Sequence, residues 1–351
     1  MNGSTASASG EPFVRSGQRD LVVSVNWIGD AIMAMPGLQL YRRAHPDRHI
    51  TVLARGVIAD LWKLSRAPDE VIRYDGRPGI SDPLYTDLRA RGFTRAWVLP
   101  NSFRSAWLAF RSAAPERIGV PGRGRRWLLT RCPPRWSDPA RLHQAWEYLQ
   151  LFQPDGSPGA IPPPELHVPH TDREAAIRKH GPFRIPLVGM IPGAARGPSK
   201  RWPERHFIDL ARRFVGEGWS VALFGGHDDH ALCDRISVAV DGVPVNLAGR
   251  TTLSEWAALL GECRTVVAND SGGMHLAAAL GRPVVALYGI TDPDRTGPIG
   301  PRCRILQKSD RRSRDVPRES AEAEASLAAI LPGEVYEAAM ELLHAGDKGG
   351  A

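Results

Sequence analysis

The 351-residue sequence contains only four cysteines and no long apolar run. Cys132, Cys233, Cys263 and Cys303 are widely spaced and include no C-x-x-C pair, so the sequence predicts neither a disulfide framework nor a zinc ribbon. No segment approaches the roughly 20 apolar residues of a transmembrane helix. Residues 1–19 are small and polar without an apolar centre, which excludes a secretory signal and predicts a disordered leader. We therefore expect reduced thiols and a soluble, cytosolic chain.

Proline and glycine are concentrated in one internal segment. Residues 153–170, QPDGSPGAIPPPELHVPH, follow a predicted helix over residues 140–152 and indicate a linker or hinge. The chain is longer than one typical domain, and its 42% hydrophobic content suffices for two ordinary cores. We expect a first domain over residues 20–152, a second over residues 171–325, and a C-terminal helix and tail over residues 326–351.

The most informative segment is residues 264–289, RTVVANDSGGMHLAAALGRPVVALYG. Residues 265–268 predict a buried strand and residues 274–280 a helix. Two glycines lie between them, where backbone N–H groups and the helix dipole favour an anion such as a phosphate. A plain helix cap by Ser271 or Asp270 is the alternative interpretation of this turn.

A second turn of this kind lies near the start of the chain. Residues 21–25 predict a strand, residues 26–30 (NWIGD) a turn, and residues 31–44 a helix in which Pro36 predicts a kink. Asp30 at the end of the turn is a candidate base, because a helix N-terminus keeps a carboxylate ionised. A role as a simple helix cap is the alternative.

A third turn follows the predicted strand at residues 187–191. This Gly/Pro-rich turn carries Lys200 and Arg201, and a helix is predicted after Pro203. The ends of strands are where α/β sheets bind ligands. A Lys ammonium beside a helix N-terminus suits a leaving diphosphate, since its charge becomes more valuable as negative charge develops. Arg201 is either a second phosphate contact or a surface charge.

Two acidic patterns resemble metal sites but do not predict them. The run at residues 227–230, HDDH, cannot converge on one ion, because consecutive side chains point in different directions. It is better explained as the start of a helix, with Asp228 or Asp229 near the ribose of a bound nucleotide. The D-x-D at residues 292–294 is explained by turn chemistry.

Positive charge is confined to the first half of the chain. Residues 1–165 hold 22 Lys and Arg against 15 Asp and Glu, whereas residues 166–351 hold 23 of each. Much of the excess is a cluster that surrounds one acid, Glu116: Arg104, Arg111, Arg117, Arg123, Arg125, Arg126, Arg131 and Arg135, with Trp107, Trp127 and Trp136 among them. No nucleic-acid-binding motif accompanies it. A phosphorylated glycolipid at an anionic membrane surface fits the cluster, and a solvated Arg-rich face is the alternative.

Four motifs, in this order, resemble bacterial ADP-heptose:lipopolysaccharide heptosyltransferases of glycosyltransferase family 9, and most of all the heptosyltransferase II group. They are NWIGD (26–30), LPNSFRSA (99–106), PGAARGPSKRWP (192–203) and NDSGGMHLAAALGRPVVALYG (269–289). The resemblance extends over roughly residues 20–343. It implies an α/β fold of the GT-B type, in which two Rossmann-like domains with parallel sheets face an interdomain cleft.

The resemblance also implies roles for individual residues. Asp270 would contact a heptose hydroxyl, and His275 would contact phosphate or order the turn. The predicted donor-binding residues are Pro192, Gly193, Lys200, Arg201, Asp228, Asp270, Ser271, Gly272, Gly273 and His275. The predicted acceptor-binding residues are Asn26, Trp27, Gly29, Asn101, Ser102, Arg104, Arg123 and Arg126. Asp30 and Lys200 are the predicted catalytic residues.

The implied reaction is the inverting, metal-independent transfer of L-glycero-D-manno-heptose from ADP-heptose to the first heptose of the lipopolysaccharide inner core. The acceptor would be a phosphorylated Kdo-lipid A core, met by peripheral contact at the inner face of the inner membrane. No cofactor, metal or nucleic acid is expected. The alternatives are a relative with another nucleotide sugar or acceptor, and a non-catalytic nucleotide-sugar-binding protein, which would not need Asp30.

Overall fold

The first half of the chain forms a five-stranded parallel sheet with the strand order β3-β2-β1-β4-β5. The computed structural model describes residues 17–79, 81–122, 124–133, 143–153, 159–195, 197–313, 315, 317 and 320–347. The strands of this sheet are β1 (Arg19–Val23), β2 (His49–Arg55), β3 (Glu70–Tyr74), β4 (Arg95–Val98) and β5 (Glu116–Gly119). Its helices are α1 (Ile28–Ala44), α2 (Val57–Lys63), α3 (Pro83–Ala90), α4 (Phe103–Arg111) and α5 (Ala145–Phe152), with a 3₁₀ turn at Arg126–Leu128.

The second half forms a six-stranded parallel sheet with the order β11-β10-β9-β6-β7-β8. Its strands are β6 (Leu187–Ile191), β7 (Ser220–Leu223), β8 (Val245–Asn246), β9 (Thr265–Asn269), β10 (Val284–Tyr288) and β11 (Cys303–Gln307). Its helices are α6 (His170–His180), α7 (Glu204–Gly216), α8 (His230–Ala239), α9 (Leu253–Glu262), α10 (Gly272–Ala279), α11 (Pro293–Thr296), α12 (Ala321–Ala328) and α13 (Pro332–Asp347), with 3₁₀ turns at Pro198–Lys200 and His227–Asp229. Two parallel sheets covered by helices confirm the predicted α/β architecture.

The central strands of the second sheet are buried along their whole length. Every residue of β6, β9 and β10 is buried, as expected for parallel strands covered by helices on both faces. In each sheet the strand order reverses once, between β1 and β4 and between β6 and β9. Ligands bind beyond the carboxyl ends of strands at such reversal points. The turns after β1, β4, β6 and β9 are therefore the topologically favoured places for a site, and they carry the four motifs.

Helix α1 joins the two halves. It packs on α5 of its own half and on α10 of the other. The first turns of α1 and α10 touch so closely that glycine is required: a Cβ added at Gly272 would lie 2.8 Å from Cβ of Ile28, and one added at Gly29 would lie 2.9 Å from Cδ2 of His275. The turn after β1 and the turn after β9 therefore meet.

Several predicted boundaries differ from the observed ones. Helix α1 begins at Ile28 and its N-cap residue is Trp27, so Asp30 lies in the first helical turn rather than at the N-cap position. Helix α10 begins at Gly272, two residues before the predicted start. The observed α5 begins at Ala145 rather than at residue 140; residues 134–142 lie outside the described residues.

The predicted domain limits are not themselves tested by these elements. Of the predicted leader, residues 1–16 lie outside the described residues, and β1 already begins at Arg19. Pro36 lies within α1 and is buried. No helix among the described residues is both long enough and apolar enough to cross a membrane.

Candidate active site

A cavity of about 340 Å³ lies where the first turns of α1 and α10 meet. Both halves of the chain contribute to its wall. The lining residues are Trp27, Gly29, Asp30, Met33, Gln144, Ala195, Lys200, Asp270, Ser271, Gly272, His275 and Thr296. Both predicted catalytic residues, Asp30 and Lys200, thus line one cavity.

Lys200 and Asp270 form an ion pair in this cavity. Lys200 ends the 3₁₀ turn after β6, Asp270 directly follows β9, and the Nζ of Lys200 lies 2.5 Å from Oδ2 of Asp270. Their side chains are only 14% and 7% exposed. The sequence predicted separate ligand contacts for the two residues. In this arrangement the carboxylate neutralises the ammonium, and a phosphate placed beside Lys200 would compete with Asp270 for it.

The loop after β6 is held in place by Asn269 and Trp202, which the sequence prediction did not single out. The Asn269 side chain accepts from the backbone N–H of Trp202 (3.1 Å) and donates to the carbonyl of Pro192 (2.7 Å). The indole N–H of Trp202 donates to the carbonyl of Ile330 (2.9 Å). Asn269 is the first residue of the fourth motif, but the sequence prediction gave it no role of its own. These bonds fix both ends of the loop that carries Lys200.

Pro192, Gly193 and Arg201, three predicted donor ligands, do not line the cavity. Pro192 and Gly193 are buried. A Cβ added at Gly193 would lie 2.1 Å from Oδ1 of Asp229, so this glycine accommodates a neighbouring carboxylate. Arg201 donates from Nε (3.2 Å) and Nη2 (3.1 Å) to the carbonyl of Ala194 and thereby orders the loop.

Asp228 is exposed, whereas Asp229 is the acid that contacts the neighbouring loops. Oδ2 of Asp229 accepts from the backbone N–H of Gly226 (2.9 Å), and its carboxylate packs on Gly193. The choice of Asp228 as the ribose ligand is therefore not supported over Asp229. Both belong to the 3₁₀ turn that follows β7.

The first turn of α10 offers a donor group to the cavity. Ser271 is the N-cap residue, but its hydroxyl makes no capping bond, and its buried Oγ has no hydrogen-bond partner in the part of the chain that the structure describes. A buried hydroxyl without a partner is costly and is suited to a ligand oxygen. Gly273 does not line the cavity: a Cβ there would lie 2.8 Å from both Ile191 and Trp256, so packing explains this glycine.

His275 is a neutral residue that orders the turn. It is 4% exposed, and burial lowers its pKa to about 4. The imidazole is therefore uncharged near neutral pH and cannot offer a full positive charge to a phosphate. Its ring packs directly on Gly29, which supports the turn-ordering alternative of the sequence prediction.

Gln144 holds the candidate base and was missed by the sequence prediction. Its Nε2 donates to Oδ1 of Asp30 (3.2 Å) and to the hydroxyl of Tyr148 (3.1 Å). Its backbone N–H donates across the cleft to the carbonyl of Arg295 (2.9 Å). No local motif marks Gln144, because its partners are distant in the sequence.

His143, the residue before Gln144, also makes a hydrogen bond to the second half of the chain. Its Nδ1 accepts from the backbone N–H of Ala145 (3.2 Å), so Nε2 carries the proton and donates to the carbonyl of Gly297 (3.0 Å). Burial lowers the pKa of His143, which keeps the ring neutral. Residues 143–144 therefore connect the first and second halves of the chain by hydrogen bonds beside Asp30.

A second cavity, of about 270 Å³, adjoins the first. Three residues line both cavities: Trp27, Asp30 and Gln144. The second cavity also contains two further predicted acceptor residues, Asn26 and Asn101. Its lining residues are Val25, Asn26, Trp27, Asp30, Leu99, Pro100, Asn101, Val120, Gln144, Glu147, Tyr148 and Leu151. Asp30 thus stands between a cavity with Lys200 and a cavity on the first sheet.

The other predicted acceptor residues lie outside this cavity. The Ser102 hydroxyl accepts from the backbone N–H of Ser105 (3.2 Å) and caps α4. Arg104 and Arg126 are exposed on the outer surface. Arg123 lies outside the described residues.

The arginine cluster is not uniform. Arg125 is 1% exposed and donates to the carbonyls of Pro100 (2.5 Å) and Ser102 (3.1 Å), and burial lowers its pKa. Arg117 donates to the carbonyls of Leu128 and Ala114. These two side chains support the loops of the first half through hydrogen bonds to backbone carbonyls.

No three His, Cys, Asp or Glu side chains come close enough to hold a metal ion within the described ranges. These ranges include residues 227–230 and 292–294.

The model of glycosyltransferase family 9 (heptosyltransferase) matches residues 83–325. This chain belongs to glycosyltransferase family 9. It is 34% identical to lipopolysaccharide heptosyltransferase 2 of Salmonella typhimurium over 313 residues, which cover 82% of this chain and 87% of that protein. The family assignment confirms the resemblance seen in the four motifs and makes the chain a glycosyltransferase.

Solved structures of the family have the same architecture. The structure of Escherichia coli ADP-heptose lps heptosyltransferase II superposes with a TM-score of 0.84 at 31% identity, over 94% of this chain and all of that one. A glycosyltransferase family 9 structure from Veillonella parvula superposes with a TM-score of 0.81 at 25% identity, over 95% and 99% of the two chains. These matches confirm the predicted GT-B fold.

Proposed function

We propose that this chain transfers L-glycero-D-manno-heptose from ADP-heptose to the lipopolysaccharide inner core, onto the first heptose, with inversion at the anomeric carbon. One observation carries the proposal: Asp30 lines both the cavity that contains Lys200 and the cavity on the first sheet. A base at that place can reach an acceptor hydroxyl on one side and face a donor sugar on the other. Relatives named as heptosyltransferases, at 34% identity, support the donor and the acceptor class.

Asp30 is the proposed base. Its carboxylate takes the proton of the acceptor hydroxyl as the acceptor oxygen forms a bond to the anomeric carbon. The bond between that carbon and the β-phosphate oxygen breaks, and its electron pair leaves with ADP. Gln144 keeps Asp30 oriented by the 3.2 Å hydrogen bond to Oδ1. Direct displacement of this kind inverts the anomeric centre and needs no sugar-enzyme intermediate.

We propose that Lys200 and the first turn of α10 stabilise the negative charge of the departing diphosphate. Lys200, Ser271 and Gly272, the first residue of α10, line the same cavity. Positive charge and fixed donors stabilise the departing diphosphate most when its charge is complete. Asp270 pairs with Lys200, and we propose that it exchanges this partner for a heptose hydroxyl when the donor binds. We therefore propose that the reaction needs no metal.

The location follows from the acceptor. A lipid A-linked core lies in a membrane, and the excess positive charge of the chain lies in its first half. We propose that the chain works in peripheral contact with anionic lipid at the cytoplasmic face of the inner membrane. A nucleic acid is not part of this proposal.

A turnover assay with ADP-heptose and defined core acceptors tests the proposal. Heptose should be transferred to acceptors that carry the first heptose and not to acceptors that lack it. The rate should be the same in buffer with EDTA and in buffer with Mg²⁺. The NMR coupling at the new anomeric centre should report inversion. Transfer from another nucleotide sugar in preference to ADP-heptose, or strict dependence on a divalent ion, would contradict the proposal.

A further inference from the structure

Helix α4 presents an unusual outer surface. Its buried positions are small or aliphatic: Ser105, Ala106, Leu108 and Ala109. Its other positions are all aromatic or arginine: Phe103, Arg104, Trp107, Phe110 and Arg111. A surface helix normally turns charged and polar residues of both signs outward. Here large rings lie on the outside, so packing in the fold does not account for them.

Four rings form one connected cluster, which we name the aromatic plate: Phe103, Trp107, Phe110 and Trp127. The centroid distances are 6.3 Å for Phe103 to Trp107, 5.5 Å for Trp107 to Phe110, 6.3 Å for Phe110 to Trp127 and 6.2 Å for Trp127 to Phe103, so the contacts close into a circuit. Trp127 is 63% exposed, Phe103 48% and Phe110 39%. A contiguous exposed apolar patch of this kind marks an interaction surface.

Arginines surround the aromatic plate. The guanidinium of Arg111 lies 5.7 Å from the ring of Trp107, and that of Arg117 lies 5.5 Å from Phe110. Arg104 and Arg126 adjoin Phe103 and Trp127 in the chain and are exposed. The acid of this sequence region, Glu116, is engaged by Arg95 at 2.6 Å. The surface therefore combines an apolar centre with a cationic rim.

The aromatic plate also lies beside the second cavity, which we propose as the acceptor site. Asn101 lines that cavity, and Ser102 caps α4, whose first residue is Phe103. A depression of about 430 Å³ lined by Tyr85, Phe103 and Trp107 extends the apolar surface, and Arg104 is also among its lining residues. A partner held against the aromatic plate would lie next to the entrance of the acceptor site.

We infer that the aromatic plate is the face that docks on an anionic phospholipid bilayer. Aromatic side chains favour the boundary between head groups and acyl chains, and nearby arginines bind anionic head groups. Single-stranded nucleic acid is less suited to the surface, because its bases stack on separate ring faces along a groove, whereas these rings pack on each other. The inference rests on the proposed lipid-linked acceptor, which the bilayer would present at the nearby cavity.

Vesicle sedimentation with the full chain tests this inference. Vesicles of phosphatidylcholine alone are compared with vesicles that also contain phosphatidylglycerol. We expect binding to the anionic vesicles, weakened by salt, and little binding to the neutral ones. The double variant Phe110→Ser/Trp127→Ser should bind the anionic vesicles at least about tenfold more weakly, because it removes two rings from the apolar contact. Trp127→Ser alone should show an intermediate loss.

The matched control replaces exposed apolar residues of the second half, Val238 (71% exposed) and Val243 (50%), by serine. This control should bind vesicles as the wild type does. Equal vesicle binding by the aromatic-plate double variant and the wild type would overturn the inference, and so would a wild type that ignores anionic vesicles. Binding of single-stranded RNA that depends on the aromatic plate, without vesicle binding, would overturn it in favour of nucleic acid.

An activity assay separates this inference from the proposed function. With a water-soluble, delipidated core acceptor, the double variant should turn over within about twofold of the wild type, since neither residue lines the two cavities. With the acceptor embedded in anionic vesicles, it should be at least about tenfold slower. If the wild type binds vesicles through the aromatic plate but transfers no heptose, the proposed function is contradicted, whereas the inference that the aromatic plate docks on the bilayer is not.

Discussion

On the donor side of the cleft, the loop after β6 is held by side chains of its own half, whereas on the acceptor side Asn26, Trp27 and Asn101 are exposed. Asn269 bonds both ends of the donor loop, and Lys200 is already paired with Asp270 at 2.5 Å. A preorganised charge acts mainly on the transition state, while exposed charges act mainly on binding. We therefore expect loss of Lys200 to lower kcat and changes to the exposed arginines of the first half to raise KM.

The largest effect should come from Lys200→Ala. It removes the charge nearest the proposed leaving group and leaves Asp270, 7% exposed, without its partner. We expect kcat to fall by about 10² to 10³ and added Mg²⁺ to give no rescue. Thermal unfolding measured alongside identifies any part of the loss caused by destabilisation. Lys63→Ala, which breaks an exposed pair with Asp60, should leave kcat unchanged; a Lys200→Ala enzyme as fast as this control would contradict the donor-side account.

Gly29→Ala tests whether the two sides depend on their close contact. The added Cβ would lie 2.9 Å from Cδ2 of buried His275, so the turn carrying Asp30 has to shift. Displacing a catalytic group by about 1 Å can cost roughly 10² in rate. We expect a kcat loss of about 10² with a folded protein by circular dichroism. Gly261→Ala meets nothing within 4 Å and is the matched control; equal rates for the two variants would refute the tight fit.

Gln144→Ala tests the contribution of the side chain of Gln144, whose backbone N–H bonds across the cleft. The substitution removes the hydrogen bonds to Asp30 and Tyr148 but keeps the backbone bond to Arg295. Loss of orientation should lower kcat about tenfold, with ADP affinity unchanged by calorimetry. A change confined to KM for the acceptor would assign Gln144 to binding instead.

The smallest effect should come from the surface arginines. Arg104→Glu with Arg126→Glu should raise KM for a phosphorylated, water-soluble acceptor several-fold at low salt, with kcat and ADP affinity nearly constant. Arg178→Glu with Arg212→Glu reverses two exposed charges of the second half and is the control. Unchanged KM in the first variant would remove the acceptor role of these arginines.

The local patterns of the sequence predicted the α/β fold and the turns that approach the cleft. Strand, turn and helix are consecutive in the chain, so alternating apolar and glycine-rich segments reveal them. The start of α10 was predicted two residues late, because glycine is a poor helix former and its presence at Gly272 and Gly273 is explained by close tertiary packing. The four-motif resemblance placed Asp30 and Lys200 in one site; their catalytic roles stay predictions.

Contacts between distant residues were not predictable from the sequence. Gln144 and His143 act through the carbonyls of Arg295 and Gly297, which no local pattern links to them. The burial of Arg125 depends on carbonyls of Pro100 and Ser102, so charge counting alone placed it on the surface. The pairing of Lys200 with Asp270 likewise arises from two turns that meet only in the folded chain.

The most direct test of the central claim is Asp30→Asn, measured by single-turnover heptose transfer and by calorimetric ADP binding on the same preparation. Asparagine is nearly isosteric and can still accept from Gln144, and Asp30 is not the N-cap residue of α1, so folding and ADP affinity should stay close to wild type. The account predicts a loss of at least about 10² in transfer, because the acceptor hydroxyl would keep its proton. Asp87→Asn, at an exposed surface pair, should keep full activity. Near-normal transfer by Asp30→Asn would contradict the account.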